Sequence, residues 1–184
     1  MVSMTHTISR AGSSTLLCLA GLALSAPSTA AASGVFSTYV DFEVEGRGVL
    51  TFEGGAGIDR GVGLANSGIG NAWIRNDHGW NAIGALWFGT GGVCNAFAMI
   101  RHSGTVDGFW YRFLDDETGQ LIAERYVPPE VMNRAGADGR YAAFLLPIDA
   151  PSHKQDLRFQ IGFFGNGQDA WMQIDDMSIW CTVP

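Results

Sequence analysis

Four stretches of this 184-residue chain place side chains suited to binding a polar ligand at every second position. Trp110 and Arg112 alternate with Phe109, Tyr111 and Phe113. Arg158 and Gln160 alternate with Leu157, Phe159 and Ile161. Trp73 and Arg75 lie opposite Ala72 and Ile74, and Trp171 and Gln173 opposite Met172 and Ile174. Successive side chains of an extended strand point to opposite faces, so each stretch has one apolar face and one bearing Trp, Arg or Gln. An indole stacks on a sugar ring, and planar guanidinium and amide groups bind its hydroxyls. Trp73, Trp110, Arg112, Arg158, Gln160 and Trp171 are therefore read as one platform for a glycan, with Asn166 and His78 on its rim.

Catalytic groups are harder to assemble. The chain has no HExxH, GxSxG or Walker A motif, and His78, His102 and His153 lack an i,i+4 partner. Asp175 and Asp176 are adjacent on a predicted strand, so they point to opposite faces. Glycoside hydrolysis needs two carboxylates facing one bond, roughly 5–10 Å apart. One of this pair then points inward or toward a rim, where a hard cation such as Ca²⁺ is its simplest partner. Asp115, Asp116 and Glu117 read as a solvated hairpin turn. Tyr111, His102 and Arg112 are the set a small polysaccharide lyase would use. The expectation is a binding protein without catalysis; its rivals are a secreted protein-interaction or inhibitor module, and a small lyase or hydrolase.

The elements that position these residues are strands. The apolar period is close to two throughout, and turn signals separate the runs: Gly89-Thr90-Gly91-Gly92, Asp115 to Gly119, Ala137-Asp138-Gly139 and Gly165-Asn166-Gly167. Strands are predicted near 37–45, 48–53, 60–66, 71–75, 80–88, 94–102, 108–114, 121–126, 140–148, 156–164 and 170–181, with a helical turn at Pro129–Met132. Regular spacing of this kind implies an all-β fold, a two-sheet antiparallel β-sandwich or jelly roll.

Residues 1–32 read as a secretory signal peptide. Arg10 precedes the apolar run Leu16–Leu24, and small residues lead to Ala30, Ala31 and Ala32. The run is too short to span a bilayer, and Leu17 before Cys18 is too bulky for a lipoprotein box. Residues 33–184 then form one domain, secreted to the extracellular space and expected as a monomer. The full chain has 11 basic and 18 acidic residues. Losing Arg10 leaves 10 and 18, or −8, a balance that argues against nucleic acid and anionic membranes as partners. Export also removes Cys18, and the remaining even pair, Cys94 and Cys181, is expected to form a disulfide.

Several segments, in order, resemble the galactose-binding-like jelly rolls of carbohydrate-binding modules on secreted bacterial proteins. These are Phe52-Glu53-Gly54-Gly55, Asn71-Ala72-Trp73-Ile74-Arg75 followed by Gly79-Trp80-Asn81-Ala82-Ile83, Ala98 to Ser103, and the closing Gln173-Ile174-Asp175-Asp176-Met177-Ser178-Ile179. The resemblance implies a non-catalytic, lectin-like module for an extracellular or cell-wall glycan. It also implies a structural Ca²⁺ held by a Glu of the opening motif and an Asp of the closing one. That nominates Glu53 with Asp175 or Asp176, and Glu43 as a substitute.

Overall fold

The computed structural model describes residues 35–43, 50–87, 93–136, 139–149 and 156–182. The expected signal peptide and His153 lie outside them. Among the described residues there are eleven strands and one helix: β1 (Val35–Val40), β2 (Leu50–Glu53), β3 (Ala56–Arg60), β4 (Gly70–Arg75), β5 (Gly79–Trp87), β6 (Val93–Ser103), β7 (Phe109–Asp115), β8 (Leu121–Val127), α1 (Pro129–Gly136), β9 (Ala142–Asp149), β10 (Leu157–Gly165) and β11 (Trp171–Thr182).

The strands form two antiparallel sheets, the expected sandwich. Sheet I runs β3-β4-β11-β6-β9, with β1 also paired to β11; sheet II runs β2-β5-β10-β7-β8. The long β11 pairs with β4 through Trp171–Ile174 and with β1 through Met177–Thr182. Its other edge pairs with β6, and the register shifts between Asp175 and Ser178. The period-two pattern is the cause of the layering. On β6, Ala96, Ala98 and Ile100 are buried while Asn95, Phe97 and Met99 are not. Ile74, Ile100, Met172, Ile174 and Ile179 of sheet I pack in one core with Ile83, Phe109, Phe113, Phe159 and Ile161 of sheet II. Pro147 is tolerated on β9 because β9 ends the sheet I order, where a missing N–H breaks no inner ladder.

Cys94 and Cys181 are register partners on β6 and β11, and they form the expected disulfide. Two elements differ from the sequence-based reading. The strand expected at 60–66 lies at Ala56–Arg60, because Gly61 and Gly63 adopt positive φ and turn the chain into a loop closed by Gly61 N–H on Ile69 O. The helical turn runs on to Gly136. Pro129 and Glu130 suit a first turn, and Met132 is fully buried beneath it.

Candidate functional site

Trp73 on β4 and Trp171 on β11 project from the outer face of sheet I. Their register partners are Gln173 and Arg75 respectively, so the indoles are diagonal neighbours; diagonal positions on paired strands lie about 7–8 Å apart. A bare backbone makes room for the first indole. Gly57 is the register partner of Trp73 on β3, and a Cβ there would stand 2.6 Å from Cζ2 of the ring. The indoles, with Asp59, Leu64, Arg75 and Gln173, line an open cleft of about 260 Å³. Past Arg75 and Trp171 it meets a second groove of about 450 Å³, lined by Asn76, Asp77 and residues 167–170.

Arg101 on β6, the register partner of Gln173, packs beside the cleft rather than lining it. Its guanidinium lies over the rings of Tyr141 (5.1 Å) and Trp171 (5.5 Å). Its Nε donates to Gln173 Oε1 and its Nη1 to Gly139 O, while Nη2 has no partner. Arg75 lies over the ring of Trp73 at 5.0 Å. Tyr141 donates to Leu64 O, anchoring a wall residue of the cleft. Burial raises the Tyr141 pKa above the usual phenol range, so the hydroxyl stays a neutral donor.

The wall is the loop 61–69, held by carboxylates. Asp175 Oδ2 accepts from the amides of Asn66 (2.7 Å) and Ser67 (3.0 Å). Asp176 accepts from Asn66 Nδ2, Ser67 Oγ and Tyr39 Oη. Glu43 accepts from the amides of Ile69 and Gly70. Asp175 is fully buried under this loop, and burial raises its pKa against the pull of the amides. Burial also pushes Asp176 upward, but its three side-chain hydrogen bonds outweigh that and hold it below the usual range. These two carboxylates correct the expectation of opposite faces. Asp176 sits at the bulge with φ 47°, which breaks the alternation, and both bond to Asn66.

The single platform expected from alternation is also corrected. Trp110, Arg112, Arg158 and Gln160 stand on the outer face of sheet II, the other layer from Trp73 and Trp171. Alternation tells inward from outward, and a sandwich has two outward faces. On sheet II the charged and amide side chains Arg112, Gln160, Glu53, Arg158 and Asp116 bond one another. Arg112 Nε donates to Gln160 Oε1 (2.8 Å), Gln160 Nε2 donates to Glu53 Oε1 (2.6 Å), and Arg158 bonds Asp116. Gln160 is fully buried, and burial lowers the Arg112 pKa despite Glu53 beside it. Arg112 covers the ring of Trp80 at 4.0 Å. Trp80 packs against Phe164, and Trp110 against Tyr126, giving an aromatic row across four strands. Asn166 and His78 belong to neither sheet face. Asn166 is bonded to Asn76, and Gly167 lies under the His78 ring, which places both beside the second groove.

The nominated metal ligands do not fit a shared cation. Glu53 lies on sheet II among Gln160, Arg112 and Arg158, while Glu43, Asp175 and Asp176 hold the loop on sheet I with their oxygens facing N–H and O–H donors. A Ca²⁺ site needs several oxygens aimed at one point, and no group of three acidic, His or Cys ligands converges among the described residues. The lyase set is likewise dispersed. Tyr111 faces the core and donates to Pro147 O, His102 is buried on β6 with neither ring nitrogen bonded, and Arg112 faces outward. Arg101, Asp59, Leu64 and Tyr141 were not among the expected site residues. Arg101 was legible, since it follows Met99 by two in a strand whose Ala98 and Ile100 point inward. Leu64 was not, because it sits in a loop.

No family model and no curated protein matches the sequence. Among solved structures, carbohydrate-binding modules from the β-sandwich superfamily, described for promiscuous specificity, align at TM-score 0.52 and 8% identity. That alignment covers 83% of this chain and 75% of the other. A CBM22-1 xylan-binding domain from Paenibacillus barcinonensis aligns at 0.49 and 14% identity, covering 79% and 93%. A Stig cyclase from Fischerella sp. TAU, in complex with an indole compound, aligns at 0.48 and 12%, covering 86% and 92%. The chain has the jelly-roll β-sandwich fold of carbohydrate-binding modules.

Proposed function

We propose that this protein is an exported, non-catalytic glycan-binding module whose ligand lies along the sheet I cleft. The observation that carries this reading is the pair of partly buried indoles, Trp73 and Trp171, set diagonally around Gln173 in an open cleft that continues into a second groove. The indoles supply apolar stacking faces, and Arg75, Gln173 and Asp59 supply hydrogen-bonding groups at their edges. An open, elongated depression suits a chain of sugars better than a small enclosed molecule. The neighbouring modules' own ligands, xylan among them, support a polysaccharide as the class. The Cys94–Cys181 disulfide supports an oxidising compartment.

Affinity electrophoresis on a polysaccharide panel tests the reading. Retardation on at least one glycan, lost in W73A and W171A, is the expected result; a folded protein that migrates unchanged on every glycan refutes it. Export is tested by fractionation, where the expected product is a chain in the medium lacking about its first 32 residues. A full-length chain kept inside the cell refutes export.

A second reading, contact with a protein, is favoured by the sheet II aromatic row, where Phe164 is 65% and Tyr126 44% exposed. It predicts a partner captured by the W171A variant and lost on adding F164A.

A further inference from the structure

Sheet I carries a second group of outward residues, beyond the wall of the cleft. Along β11, Asp175 and Asp176, which hold the loop 61–69, separate Trp171 and Gln173 from Ser178 and Trp180. Past them, Tyr39, Ser178, Phe97 and Leu145 are register partners in a row across β1, β11, β6 and β9. Trp180, Asn95 and Pro147 form part of the adjoining row. Buried Ile179 and Cys181 flank Trp180, and buried Cys94 and Ala96 flank Asn95, so both project from the sandwich. Leu145 is 63% and Tyr39 59% exposed. The polar groups of this patch are left open. Trp180 Nε1, the Asn95 side-chain amide and Ser178 Oγ bond no described residue, and none of them is sealed from solvent. Neither row holds a charged side chain. The nearest acids stand at the margins: Asp149, opposite Val93, and Asp176, which accepts from Tyr39.

We propose that this patch is a second glycan-binding site, centred on Trp180 and separate from the cleft, that takes an uncharged stretch of sugar chain. This rests on the glycan-binding reading above and adds a site to it. The Trp180 indole and its diagonal neighbour Phe97 supply apolar faces. Trp180 Nε1, Asn95 and Ser178 supply donors and acceptors for sugar hydroxyls. Charge selects the polymer. With acids at the margins, no cation in either row and a net charge of −7 on the chain, an acidic glycan is repelled and an uncharged one is not. Area selects against another protein. Strands lie about 4.8 Å apart and same-face residues about 7 Å apart, so four strands along the outward positions of β6 from Val93 to Met99 span roughly 300 Å². A stable protein contact covers about 800 Å² on each partner. A patch without walls covers less of a sugar ring than a cleft does, so this is the weaker of the two sites.

Isothermal titration with xylohexaose, cellohexaose and an uncharged galactan hexamer tests the proposal, with hexagalacturonate as the charged probe. The expected result is that at least one uncharged hexasaccharide fills two sites per chain in the wild type, the weaker lost in W180A and the stronger in W171A. In W171A, where only the patch remains, hexagalacturonate should bind at least about tenfold more weakly than that hexasaccharide. N95A breaks no side-chain hydrogen bond to a described residue. It should weaken the patch site about three- to tenfold at an unchanged melting temperature, which keeps the test open if W180A fails to fold. A single site in the wild type, unmoved by W180A and N95A, overturns the second site and leaves the cleft reading standing. Equal affinity of the patch for hexagalacturonate overturns the uncharged ligand. A dimer in sedimentation that W180A dissolves assigns the patch to a second copy and overturns the proposal as well. Failure of a folded protein to bind any of the probes, or any polysaccharide of the panel, overturns both readings.

Discussion

Removing the Trp171 indole separates the two outer faces as ligand sites. A tryptophan side chain presents roughly 150–250 Å². Trp171 is partly buried already, against Arg101 on one side, so a sugar ring can cover about half of that area, roughly 75–125 Å². At about 25 cal/mol per Å² this contributes about 2–3 kcal/mol, which is roughly a 30- to 150-fold change in Kd. The assay is isothermal titration of W171A with an oligosaccharide of whichever glycan the panel selects. Its control is W110A, which removes an indole from the other sheet and leaves the cleft untouched. W171A should lose affinity by that factor with little change in melting temperature, since no core side chain is deleted. W110A should bind as the wild type does. Affinity in W171A within about twofold of wild type, or binding abolished by W110A instead, would refute the placement of the ligand on sheet I.

The remaining predictions concern the frame of the cleft. The Cys94–Cys181 bridge closes a separation of 87 residues, for which the chain-entropy model gives about 4–5 kcal/mol. C94A/C181A should therefore melt about 9–18 °C lower by calorimetry, and a drop under about 3 °C would contradict that assignment of stability. Gly57→Val inserts a Cβ at 2.6 Å from the Trp73 ring, so it should displace the indole and weaken glycan binding about tenfold or more; an unchanged titration curve would show that Trp73 is not held by that contact. Asp176 has a lowered pKa, so its contribution is present above the unfolded carboxylate pKa of about 4 and fades as pH falls through the folded value. D176N should thus cost about 1 kcal/mol in urea melts at pH 7, a modest figure because the group is only partly buried, and progressively less below about pH 4. A difference that grows on acidification would reverse the assigned sign.

Much of the cleft was legible in the sequence. Period-two alternation is a local property, so it marked Trp73, Arg75, Trp171 and Gln173 as outward-facing and their neighbours as core without any knowledge of strand order. Cysteine parity likewise marked the Cys94–Cys181 bridge. Which outward residues share a surface depends on pairing between distant strands. Tertiary structure alone brought β4 beside β11, put β7 and β10 in the other layer, and so divided one expected platform into a cleft and a closed ionic network. It also decided the wall. The bulge at Asp176 and the positive φ of Gly61 and Gly63 are backbone departures that no side-chain period announces, and they fold the loop 61–69 onto Asp175 and bring Leu64 over the indoles. Short-range chemistry set the direction of each side chain; long-range hydrogen bonding chose its neighbours.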